Sequence, residues 1–76
     1  MDKKDLEKML QERGIPRESY SLMGGLPNEC FCINKGTSWE VYYSEHGIKT
    51  QLKVFCTEND ACQYLYNCLL KVFGKI

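Results

Sequence analysis

Five cysteines and a single histidine carry the most distinctive chemistry in this 76-residue chain. Cys30, Cys32, Cys56, Cys62 and Cys68 could offer thiolates to zinc, but zinc sites pair their cysteines at C-x₂₋₄-C spacing on turns. Cys30-Phe31-Cys32 leaves one residue between the thiols, which on a strand places both on the same sheet face. Cys62 and Cys68 share the inward side of a helical stretch with Leu65 and Leu69. The count is odd, and Met1-Asp2-Lys3-Lys4-Asp5 leads into a charged amphipathic stretch, with no export signal. Five reduced thiols acting as small core residues facing one another in a cytoplasmic protein are therefore expected, with no metal and no cofactor. His46 falls between Glu45 and Gly47 in a turn, where no third group orients it as a catalytic base. Gly24-Gly25-Leu26-Pro27 lacks the spacing of a phosphate-binding loop. No catalytic set emerges, and the chain reads as a non-enzyme.

Binding is the remaining chemistry. Ten basic and ten acidic residues leave a formal net charge of zero, so no whole-molecule field draws in nucleic acid or a membrane surface. Phe31, Trp39, Tyr42, Tyr43 and Phe55 could stack bases on an open sheet, which keeps a small nucleic-acid-binding module as the alternative. Glu40 among them would repel a phosphate chain. Exposed tyrosines and charges on a rigid sheet instead fit a protein interface, and the candidate contacts are Glu40, Tyr42, Glu45, His46 and Lys53. A third possibility is a zinc- or redox-dependent role for the cysteines.

The elements that must position these residues follow from periodicity. Residues 3–13 place Leu6, Met9, Leu10 and Arg13 on one helical face, and Gly14-Ile15-Pro16 stops the helix. Residues 20–23, 29–34 and 39–44 read as strands separated by glycine-containing turns. In residues 48–56, Ile48, Thr50, Leu52, Val54 and Cys56 alternate with Lys49, Gln51, Lys53 and Phe55, so the first set is expected inward and the second outward. Thr57 caps a helix over residues 58–73 whose broad stripe, Ala61, Cys62, Leu65, Cys68, Leu69, Val72 and Phe73, must lie on a sheet. The expectation is one α+β domain over residues 1–76: an antiparallel sheet of three or four strands in chain order, with the N- and C-terminal helices on one face. No segment is long and apolar enough to cross a membrane.

Three segments carry a resemblance: Gly25-Leu26-Pro27-Asn28-Glu29, Trp39-Glu40-Val41-Tyr42-Tyr43-Ser44-Glu45-His46-Gly47, and Glu58-Asn59-Asp60-Ala61-Cys62-Gln63-Tyr64-Leu65. Together they resemble small bacterial immunity proteins of polymorphic-toxin and contact-dependent growth inhibition systems, over about residues 12–70. The resemblance implies a cytoplasmic, non-enzymatic protein whose partner is a cognate toxin domain, with a nuclease as the expected toxin, and whose binding masks the toxin's active site. It carries no position-by-position binding motif, so the contact residues rest on the reading of the sheet alone, and the oligomeric state is left open.

Overall fold

A computed structural model describes residues 1–75. The chain begins with α1 (Lys3–Glu12), whose first turn is closed by the Asp2 carboxylate accepting from the Asp5 N–H at 2.9 Å. Its end is fixed by Gly14 at φ +72°: the Gly14 N–H donates to the Gln11 carbonyl and the Ile15 N–H to that of Leu10. Ile15 is thereby turned back into the core, where it is buried. A 3₁₀ turn (Arg17–Ser19) leads into β1 (Tyr20–Ser21), and after a loop come β2 (Cys30–Lys35), β3 (Trp39–Glu45), β4 (Ile48–Phe55) and α2 (Glu58–Val72). Thr57 caps α2 by accepting from the Asp60 N–H at 3.1 Å.

The four strands lie in the order β1-β2-β3-β4, as the chain order predicts. The β2–β3 and β3–β4 pairs are antiparallel, but β1 runs parallel to β2, pairing Tyr20 with Phe31 and Ser21 with Cys32. The expected all-antiparallel sheet is corrected to a mixed one. The eight residues between Ser21 and Cys30 form the loop that returns the chain to the start of β2 in the direction of β1, where a tight hairpin would have reversed it.

Both helices cover one face. Leu6 and Leu10 of α1, Ala61, Cys62, Leu65, Leu69 and Leu70 of α2, and Ile33 and Val41 of the sheet form one buried cluster with Ile15 and Tyr20. Phe31, Trp39 and Phe55 pack against it. Cys30, Cys32 and Tyr42 form a second, smaller cluster on the opposite face. The cysteines therefore do not all face one another as expected: Cys62 belongs to the main core, and Cys30 and Cys32 lie across the sheet from it.

The register of β4 departs from simple alternation. Val41 pairs with Lys53 and Tyr43 with Thr50, so Tyr42 faces two residues, Gln51 and Leu52, across a β-bulge with Gln51 at φ +56°. The bulge shifts the parity of the strand. Lys53 and Phe55 lie on the helix side, opposite Val41 and Trp39, and Leu52 and Val54 lie on the other side with Tyr42 and Glu40. The expected inward set is thus inverted at its C-terminal half: Phe55 packs on Tyr64 of α2 with ring centroids 5.3 Å apart, and Leu52 and Val54 are 47% and 60% exposed.

Candidate partner-binding surface

The face of the sheet that carries no helix divides into a covered half and an open half. Residues 22–29 fold back over Cys30, Cys32 and Tyr42. The Tyr42 hydroxyl donates to the Gly25 carbonyl at 2.7 Å, the Cys30 thiol donates to the Glu18 carbonyl at 3.0 Å, and the His46 N–H donates to the Asn28 side-chain oxygen at 3.2 Å. Gly24 sits so close to this face that a Cβ there would come within 2.5 Å of Asn34 Oδ1, and its φ of +73° already favours glycine. Lys49 closes the other side of Tyr42, its ammonium 4.6 Å from the ring centroid and 3.3 Å from the Glu40 carboxylate.

These contacts correct one candidate outright. Tyr42 is 1% exposed and therefore is not the exposed anchor that strand alternation implied. Glu40 is on the same face, largely covered and paired with Lys49. Glu45 and His46 are exposed at the β3–β4 turn, with His46 Nε2 3.6 Å from Glu45 Oε1. His46 and Gly47 have φ of +53° and +76°, the two positive values of a type I′ hairpin turn, which sets the His46 side chain on an outer corner. Lys53 is exposed but on the helix-bearing side of the edge strand. The five candidates therefore do not form one patch.

Strand alternation alone misses two further features. Glu29, at φ +54°, joins Glu45 near the hairpin end: the Tyr43 hydroxyl is pushed up in pKa by burial first and then by Glu45 and Glu29. The second is the strip made by Leu52 and Val54, which lies beside Glu40 on the outermost strand and is uncovered by the loop. All of β4 except Phe55 is exposed. The aromatic side chains that could have stacked bases do not form an open platform: Phe31, Trp39 and Phe55 pack toward the helices, Phe31 and Tyr43 pack on each other at 4.8 Å, and Tyr42 lies under the loop.

Ser44 completes the covered half. It is fully buried opposite Cys30, and its hydroxyl has no hydrogen-bond partner. An unmade buried hydrogen bond is a cost, so Ser44→Ala is expected to leave stability unchanged or raise it by up to about 1 kcal/mol. Urea unfolding of the two proteins checks this.

All five cysteines are free thiols. Among the described residues no three His, Cys, Asp or Glu side chains come together to hold a metal ion. Burial, the leading cause in each case, pushes the Cys32 and Cys62 thiols up from 9.0 to about 11. Such thiols are poor nucleophiles. Cys56 is exposed and is expected to react first with a water-soluble alkylating reagent, with Cys32 and Cys62 waiting for unfolding; mass spectrometry of the partly labelled protein reads the order. The sign of the pH dependence follows. The unfolded thiols ionise from about 8.5 upward, whereas the folded ones hold their protons to about 11. The stability that this difference supplies is complete below the unfolded pKa and is lost as the pH climbs to the folded one.

At the other edge of the sheet, Glu7 of α1 and Arg17 of the 3₁₀ turn form an ion pair at 3.0 Å, with side chains 42% and 68% exposed. An exposed pair of this kind is worth about 0–1 kcal/mol. Among the described residues no helix is long and apolar enough to cross a membrane. Comparison of the chain with protein-family models, with curated proteins and with solved structures finds no match.

Proposed function

We propose that this chain is a cytoplasmic, non-enzymatic immunity protein that binds a cognate toxin domain, with a nuclease as the toxin class, and masks its active site. The observation that carries the reading is the surface along β4: an exposed apolar strip, Leu52 and Val54, on the outermost strand beside Glu40, with Glu45 and His46 projecting at the far, hairpin end of the same strand pair. Apolar area bordered by charge on a rigid sheet is the composition of a protein interface. The resemblance of residues 25–29, 39–47 and 58–65 to immunity proteins points the same way. Carboxylates at the hairpin end complement the basic active site of an enzyme that cuts nucleic acid, and they speed encounter with it. Glu45 is the acid best placed for this, because Glu40 is already neutralised by Lys49.

The test is binding and rescue. A toxin domain encoded beside this gene, expressed alone, is expected to arrest growth, and co-expression of this chain is expected to restore it. Calorimetry is expected to give a one-to-one complex with nanomolar affinity, and Glu45→Ala to cost about 2 kcal/mol of binding. Absence of both complex and rescue would sink the reading.

A further inference from the structure

The cleft at the β1 edge, across the sheet from β4, holds the parts of a small-molecule site. It has a volume of about 360 Å³ and is lined by Glu7, Arg17, Tyr20, Ser21, Leu22 and Met23. That size lies within the range of about 300–1,000 Å³ found for ligand pockets. One hydrogen bond of the Arg17 guanidinium goes to Glu7, and the fork has five N–H donors in all. The Tyr20 hydroxyl is buried with no hydrogen-bond partner, in a residue only 8% exposed. Glu7 and Arg17 line the same cleft as Tyr20, and the Tyr20 ionisation, pushed up mainly by burial, is lowered by Arg17 and raised by Glu7. Leu22 packs against the core, and Met23, 86% exposed, supplies a flexible apolar wall.

We propose that this cleft binds a small apolar carboxylate. The ligand carboxylate replaces Glu7 on the Arg17 fork, one of its oxygens accepts from the Tyr20 hydroxyl, and its hydrocarbon part lies on Leu22 and Met23. Three features select this chemistry. Glu7 shows that the guanidinium takes a carboxylate in this position, and the fork geometry matches a second one. The pair is exposed at both ends, so exchanging one carboxylate for another demands little. With Glu7 displaced to solvent, where its side chain is already 42% exposed, one arginine balances one negative charge, which matches a monoanion and not a phosphate dianion, and the rest of the affinity must come from apolar area. The carboxylate can belong to a free acid or to the C-terminus of an apolar peptide.

The proposal is independent of the toxin-binding surface, and its test uses the whole chain. N-acetyl-leucine, its amide N-acetyl-leucinamide, and acetyl-Ala-Ala-Leu are titrated while the backbone amide resonances are followed by NMR. N-acetyl-leucine is expected to shift residues 17–23 saturably, and the amide to bind at least about tenfold more weakly, because it lacks the charge. Arg17→Gln is expected to abolish the shifts, Tyr20→Phe to weaken binding by about fivefold, and Glu7→Gln, which removes the competing carboxylate, to strengthen it. Tighter binding of the peptide assigns the site to a C-terminus, and equal binding assigns it to a free acid. Non-saturable shifts, equal affinity for acid and amide, or weaker binding by Glu7→Gln would overturn the proposal.

Discussion

Tyr42→Ala is expected to destabilise the domain by about 3–5 kcal/mol, the range for deleting a fully buried aromatic ring. The side chain lies between Cys30 and Cys32, the Gly25 carbonyl and the Lys49 ammonium, and is 1% exposed. A single core of this size supplies no more than about 3–5 kcal/mol in total, so the alanine variant should be largely unfolded at room temperature. Tyr42→Phe separates the contributions. It keeps the ring and removes only the bond to Gly25, at about 1 kcal/mol, and it frees the loop over residues 22–29 from one tether. Urea unfolding gives both values, and hydrogen exchange of residues 24–28 reads the loop. A wild-type midpoint for Tyr42→Ala would mean that the loop does not seal this face. Any loss of partner binding by that variant must be read against its stability, since a residue 1% exposed reports on folding before it reports on an interface.

The buried tyrosine also marks where sequence reasoning stops. The helix caps and the glycine stop after α1 are local, set by residues within one or two turns, and are found where the spacing puts them. The α2 stripe holds for Ala61, Cys62, Leu65 and Leu69, but in its last turns Leu70 is buried in place of the expected Val72 and Phe73, and those two are exposed. The sheet order and the hairpin at His46-Gly47 are legible for the same reason. What covers Tyr42 is not local. Its partner is a backbone carbonyl seventeen residues away, and backbone groups leave no trace in side-chain patterning. The face of Lys53 was hidden by a different cause. Strand alternation holds only while the ladder is unbroken, and the bulge that breaks it uses Gln51 in a left-handed conformation, where a glycine or asparagine would have signalled it. One extra residue therefore moved Leu52 and Val54 from the expected core to the surface. Glu45 and His46, which depend only on the tight turn, were legible as exposed.

Exposed Leu52 and Val54 make the sharpest separation between folding and binding. Under the function proposed above, replacing both with serine is expected to lower affinity for the proposed toxin partner by about 2 kcal/mol, or roughly 30-fold, because each side chain is about half exposed and has apolar area left to bury against a partner. The effect on folding is small by the same reasoning: the strand loses some β-propensity, within about 1 kcal/mol over the two sites, and the helix-bearing core is untouched. Edge strands are also where unwanted pairing begins, and this one carries Lys49, Lys53 and a bulge, the devices that discourage a second copy from docking edge to edge. Those devices guard the edge without covering the apolar strip, which stays exposed on the sheet face. Measured together, thermal stability and affinity of the double serine variant separate the two roles. An unchanged affinity would exclude the β4 strip and move the interface to the other exposed apolar residues: Val72 and Phe73 at the end of α2, Met23 and Leu26 on the loop, or Ile48 at the start of β4.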